Sequence, residues 1–245
     1  MIKKSRAVVA GGLVAVLATA GIAIAGGTTG GDLNEAVVDG KVTPSKLSAK
    51  RMKPVNLFSG VQNSLYTDGA SDEKNPASEF LSYSKNIKVD LRGVPKCPTI
   101  ANGTPTAAAK AGCPARSFLG SGEAEVRNPL APGADPLVQE VNVFHGPNQN
   151  DLQLHTYGDL GAGSPVVPAK IVDAPGAAWG QALSVEETPE TGILLITKFN
   201  ATLLKSKGVV KAKCKPKSFK YKRETEYKDG STSTVQKSQK CKVKR

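Results

Sequence analysis

The chain has 245 residues, 39% hydrophobic and 22% charged, with 33 Lys+Arg against 21 Asp+Glu and a formal net charge of +12. That length supports one domain with a real core, and single all-β domains commonly run to about 200–250 residues. Its 4 cysteines include no Cys-x-x-Cys pair and no short-spaced ligand set, which speaks against a thioredoxin-like redox centre and a zinc finger.

The chain opens with Lys3, Lys4 and Arg6, followed by a small-apolar run from Ala7 that closes on Ala23-Ile24-Ala25. A basic start, an apolar middle and a small-x-small end read as a secretory signal helix cleaved after Ala25. Cleavage after Ala20, or retention as a membrane anchor, are the competing outcomes. The run is long enough to span a bilayer, but its Ala, Gly and Thr content, with Gly11-Gly12 inside it, makes it less hydrophobic than a Leu-rich span. No second long apolar run follows, so no membrane span is expected after cleavage. Without residues 1–25 the formal charge is +9, and it is unevenly spread: residues 26–200 hold 15 Lys+Arg against 18 Asp+Glu, residues 201–245 hold 15 against 3.

Residues 26–53 are Gly/Thr-rich and then Lys-rich (Lys46, Lys50, Arg51, Lys53) with little apolar periodicity, and read as a flexible spacer. From Pro54 on, the pattern is strand-like. Pro54-Val-Asn-Leu-Phe58 opens the first strand, Asp68 to Pro76 is a polar loop, and Ile87, Val89 and Leu91 alternate with polar neighbours. Further strands are predicted over 122–127, 138–144, 152–157, 165–172, 182–185 and 192–204, with proline or glycine in almost every gap. No stretch sustains a helical apolar repeat. Short strands separated by turns predict a single jelly-roll-like β-sandwich domain over 54–245.

In an oxidising compartment Cys97, Cys113, Cys214 and Cys241 are most simply two bridges. Three pairings are formally open. Proximity favours Cys97–Cys113 and Cys214–Cys241, the first enclosing a small-residue loop with little means of ordering itself. A bridge over such a loop stabilises by roughly 3 kcal/mol on the chain-entropy estimate.

The last segment, 205–245, is read as a basic C-terminal hairpin. Lys211, Lys213, Lys215 and Lys217 alternate, which in a strand puts all four on one face. After Pro216 the phase changes: Phe219 and Tyr221 alternate with Lys220 and Lys222, and Arg223 follows. Tyr227-Lys-Asp229-Gly230 is a hairpin turn. A lysine ladder interleaved with Phe219, Tyr221 and Tyr227 suits a polyanion such as an anionic cell-envelope polymer or an acidic glycan. The competing reading is structural, since lysines on an exposed sheet edge block edge-to-edge pairing. Lysine outnumbers arginine, which fits diffuse attraction better than bidentate phosphate recognition. Sequence-specific reading of nucleic acid is not expected.

The catalytic candidates are sparse. If His145 pairs with Leu152 in a hairpin, Asn142 pairs with His155 and the two imidazoles point to opposite faces; a one-residue slip would put them together. Gly120-Ser-Gly122 lacks the spacing of a hydrolase elbow, and Ser71-Asp-Glu-Lys74 and Ser82-Tyr-Ser-Lys85 lack the companion motifs of Ser-x-x-Lys enzymes. Glu123 and Glu125 share a strand face, read as solvated. Asp68 to Glu73 fails the spacing of a calcium loop. Asn102 and Asn200 head glycosylation sequons, and Trp179 reads as a packing anchor. No metal or cofactor is called for.

Cys113-Pro-Ala-Arg-Ser117-Phe-Leu-Gly120-Ser-Gly122, with Pro54-Val-Asn-Leu-Phe58, the segment from Lys85 to Pro98, Val143-Phe-His-Gly146-Pro and the Tyr227-Lys-Asp229-Gly230 turn between two cysteines, resembles a group of secreted actinobacterial proteins of unknown function. The resemblance covers most of 42–245 and implies an exported, disulfide-bearing β-rich domain. It supplies no catalytic residue, and the C-terminal lysine richness departs from the group's pattern. The expectation is a non-catalytic binding or envelope-associated protein. The alternatives are a hydrolase or carbohydrate-active enzyme with a site assembled from distant residues, and a structural cell-surface protein held by its Lys-rich tail.

Overall fold

Period-2 alternation folds here as strands with one face toward a shared core and the other toward water. The computed structural model describes residues 36–63, 76–127, 134–186, 195–228 and 230–244. The chain divides into two compact units, Met1–Asp32 and Leu33–Arg245, and every described residue lies in the second. The expected signal segment and the loop from Asp68 fall outside the described residues.

In chain order the strands are β1 (Ala36–Thr43), β2 (Lys46–Leu47), β3 (Lys53–Pro54), β4 (Asn56–Asn63), β5 (Pro76–Ser84) and β6 (Ile87–Val89). Helix α1 (Thr106–Gly112) precedes β7 (Phe118–Arg127), β8 (Leu137–His145), β9 (Asp151–Gly158), β10 (Val166–Asp173), β11 (Trp179–Glu186) and β12 (Leu195–Leu203). Then come β13 (Val210–Ala212), β14 (Ser218–Tyr227), β15 (Thr232–Lys240) and β16 (Lys242–Val243).

The fold is all-β and sandwich-like. An 11-stranded sheet of order β1-β4-β12-β7-β8-β9-β10-β11-β5-β14-β15 rolls until it is nearly a barrel around one core, which includes Val38, Leu57, Tyr83, Val141, Leu154 and Tyr221. The outermost strands meet through side chains. Gln239 on β15 accepts from the Val42 N–H on β1 at 2.7 Å and donates to the Val42 carbonyl at 3.1 Å, and Lys237 pairs with Asp39 at 2.9 Å. A 3-stranded sheet (β3-β13-β6) and a 2-stranded sheet (β16-β2) close one end, contributing Leu47, Val89, Val210 and Cys214 to the core.

Two expectations are corrected. Most of the stretch read as a spacer is folded from Ala36 on: β1 pairs with β4 along its whole length, and Val38, Val42 and Leu47 are buried. Its buried apolar residues are few: Val38 and Val42 share one face of β1 and Leu47 lies on β2, while Lys41 faces water. The loop enclosed by Cys97 and Cys113 orders itself as α1, a run of small helix formers that buries Ala109. Ala109 packs with Cys97, Ile100, Cys113 and Phe144 in a second small core.

Both disulfides join the cysteines nearest in sequence, Cys97–Cys113 with Cα atoms 4.9 Å apart and Cys214–Cys241 with Cα atoms 5.6 Å apart. Gly120 and Gly122 have a shared cause: a Cβ on either would drive into a carbonyl of β12, that of Thr202 or of Asn200. The register shifts between Phe118 and Gly120, a bulge that opens β7.

Candidate polyanion interface

Alternating antiparallel strands send their connections to opposite ends of the rolled sheet, and those connections differ in charge. At the end closed by the small sheets, segments 44–55, 85–96, 204–217 and 241–244 hold sixteen Lys+Arg and one acid, Asp90. At the other end the described residues of the connections hold Asp135, Asp159 and Lys228. Asp90 is committed to an arginine. The Arg92 guanidinium hydrogen-bonds its side chain at 2.9 Å and holds its carboxyl well below the usual carboxylate range, with Lys88 adding only a weak pull from a distance.

Short strands position the lysines. Pro54 ends β3 at the edge of its sheet, where the missing N–H costs no ladder bond. Asn86 is buried and its side-chain amide donates to the carbonyls of Lys213, Pro216 and Ser218, so one amide orders the loop that carries Lys213, Lys215 and Lys217. In the 3-stranded sheet Lys88 stands directly opposite Lys211, and in the 2-stranded sheet Lys242 stands beside Lys46. Like charges directly opposite one another destabilise a sheet. Among the described residues none of these four lysines has a carboxylate within 4.0 Å.

The sequence-predicted ladder divides. Lys215, Lys217 and Lys220 are exposed, while Lys211 and Lys213 are half-buried; Lys211 lies in β13, Lys220 in β14, and Lys213, Lys215 and Lys217 in the loop between them. Lys222 and Arg223 are corrections: they are 7% and 1% exposed and already neutralised. The Lys222 ammonium lies 2.6 Å from Glu224 and 5.2 Å from the centre of the Trp179 ring. Arg223 has the same parity as Tyr221, so it points into the core, where it pairs with Glu79 and donates to the Gln62 carbonyl at 3.3 Å. Phe219, Tyr221 and Tyr227 are buried too, so they present no stacking surface. The basic residues that reasoning from the C-terminal segment missed are Lys46, Lys50, Arg51 and Lys53 in the supposed spacer, and Lys88 on β6. Only their strand pairing brings them to the basic end, and no periodicity marks it.

The other candidates have structural partners. β8 and β9 adopt the register His145 opposite Leu152 and Asn142 opposite His155, and the imidazoles do lie on opposite faces. Both are fully buried. His145 Nδ1 lies 3.0 Å from the Val94 carbonyl and its Nε2 lies 3.1 Å from that of Gln149, while His155 Nε2 lies 2.7 Å from that of Thr104. Each ring thus ties β8 or β9 to a neighbouring loop. Glu125 pairs with Lys198 at 2.6 Å, and Glu123 is exposed. The Asn102 carbonyl oxygen accepts from the Val166 N–H. A cavity of about 20 Å³ inside the sheet offers one polar pair, Ser59 and Tyr83, bonded to each other at 3.1 Å. That is room for about one water molecule, not a substrate. Among the described residues no cluster of three His, Cys, Asp or Glu could hold a metal, and no helix is long and apolar enough to cross a membrane. Comparison with protein-family models, with curated proteins and with solved structures finds no match.

Proposed function

We propose that this is an exported, non-catalytic binding protein of the cell envelope that holds anionic polymers at the basic end of its rolled sheet. The observation that carries the reading is the pair of unneutralised cross-strand juxtapositions, Lys88 with Lys211 and Lys46 with Lys242. Blocking an edge or keeping a surface soluble needs lysines, but not lysines set directly against each other. A bound polyanion removes that repulsion. Two disulfides point to an oxidising compartment. The signal-like first 25 residues and the resemblance to secreted actinobacterial proteins support export.

The test is retention on an immobilised polyanion over a range of salt. Release should follow ionic strength, with log K falling linearly in log salt. Replacing Lys46, Lys88, Lys211 and Lys242 with Gln should lower that slope by about 3, from roughly 0.7–0.9 for each lysine that no longer neutralises an anionic group. Binding indifferent to salt, or a slope unchanged in the fourfold variant, would end this reading.

A further inference from the structure

The two lysine pairs lie on different small sheets, yet one covalent link joins them. Lys211 is three residues from Cys214, Cys214 is bridged to Cys241 with Cα atoms 5.6 Å apart, and Lys242 is the next residue. Backbone reach along that path puts the pairs within about 20 Å of each other. The arrangement is held at both ends: the Cys214 N–H donates to the Ser48 carbonyl, the Lys242 N–H to that of Ser45 and the Lys244 N–H to that of Leu47. β2 and the bridged segments thus form one unit that carries Lys46 and Lys242 and continues through Cys214 to Lys211. Within a pair the strands are about 4.8 Å apart, close enough for both lysines to reach one anionic group.

We infer that the basic end is a two-point clamp for a linear polymer of repeated anionic groups, each lysine pair holding one stretch of the same chain and the Cys214–Cys241 bridge setting the distance between them. This rests on the polyanion reading above. The class of ligand follows from screening. At about 0.1 M salt a charge is felt over about 10 Å, so a small anion at one pair is weakly held by the other when more than that distance separates them. A chain held at the first pair meets the second at a high effective concentration, and its affinity rises without any new contact. A monomeric phosphate or carboxylate gains nothing from the second pair.

The experiment compares tripolyphosphate with long-chain polyphosphate by calorimetry at 0.1 M salt, on the wild-type chain, on Lys88→Gln/Lys211→Gln and on Lys46→Gln/Lys242→Gln. Lys41→Gln/Lys170→Gln serves as a charge-matched control, because both residues are exposed and lie outside the basic-end segments. Far-UV circular dichroism confirms that each variant is folded. The wild type and the control should bind the long chain at least tenfold more tightly per phosphate than tripolyphosphate, and either pair variant should lose that preference while still binding tripolyphosphate. A preference that survives in both pair variants, or is absent from the wild type, overturns the clamp and leaves the polyanion reading standing. No binding of either probe removes both.

Discussion

Gln239 is where a single substitution should reveal how the sheet is closed. β1 and β15 are the outer strands of the 11-stranded order, and a backbone ladder does not join them. One side chain does the equivalent for Val42: Gln239 Oε1 accepts from its N–H at 2.7 Å and from the Tyr221 hydroxyl at 3.2 Å, while Nε2 donates to the Val42 carbonyl at 3.1 Å. Val42 is 0% exposed, so neither of its backbone groups has water as a substitute. Gln239→Leu keeps most of the volume and strips all three bonds. Two buried backbone groups without partners cost about 1–3 kcal/mol each. Gln239 is itself half-buried and admits some relaxation, so the expected loss is about 2–4 kcal/mol. With a urea m-value of about 2–3 kcal/mol/M for a domain of this size, the midpoint should fall by roughly 1 M or more at unchanged m. Gln239→Glu refines the test. Its carboxylate still accepts from the Val42 N–H but sets a lone pair against the Val42 carbonyl; protonation returns the missing donor. The folded variant therefore favours the protonated carboxyl, and its deficit against wild type should shrink as the pH falls. A Leu variant within about 0.3 M of the wild-type midpoint would refute side-chain closure, as would a Glu variant whose deficit does not change with pH.

Two further outcomes follow from burial and close approach. Burial pushes the Tyr83 hydroxyl up to about 12, against the opposing hydrogen bond from Ser59, and burial also raises that of Tyr221. Since an unfolded tyrosine ionises near 10, the unfolded chain sheds these protons first. Stability is complete below pH 10 and should fall as the pH rises from 10 toward 12, by up to about 1.4 kcal/mol per pH unit for each tyrosine. Urea titrations across that range measure the fall, and tyrosinate absorbance showing all 5 tyrosines ionising near 10 in the folded chain would contradict it. Gly122→Ala should cost more than about 3 kcal/mol, because the new methyl meets the Asn200 carbonyl in the strand β7 pairs with, and neither backbone can move without breaking the ladder. A variant that melts within a few degrees of wild type would mean that the two strands separate easily there.

Local pattern made the strands and the hairpin turn legible, because alternation and turn chemistry act over a few residues; it left open the register of β8 on β9, and with it the faces of His145 and His155. The disulfides were legible for a similar reason, each closing a short loop. What stayed hidden depends on closure. Nothing near Val38 and Val42 announces that residues 36–43 complete a sheet whose other edge lies some 200 positions away, since the partner atoms belong to β4 and to the Gln239 side chain. α1 escaped notice because a run of alanines has no apolar stripe to count; its helicity comes from propensity and from the bridge that brackets it. Arg223 could have been placed, since it shares the parity of the aromatic Phe219, Tyr221 and Tyr227 on β14. Counting charge by stretch of chain hid it among lysines that face water. The same counting made the positive excess look like a property of the C-terminal segment. Strand pairing redistributes it: β16 lies on β2 and β13 lies between β3 and β6, so lysines from both ends of the domain converge. Truncation after Lys240 would leave Lys53, Lys88 and Lys211 on their paired strands, while Lys46 would lose the strand that β2 pairs with. The charge belongs to an end of the fold, and the residues to test are those that strand register sets side by side.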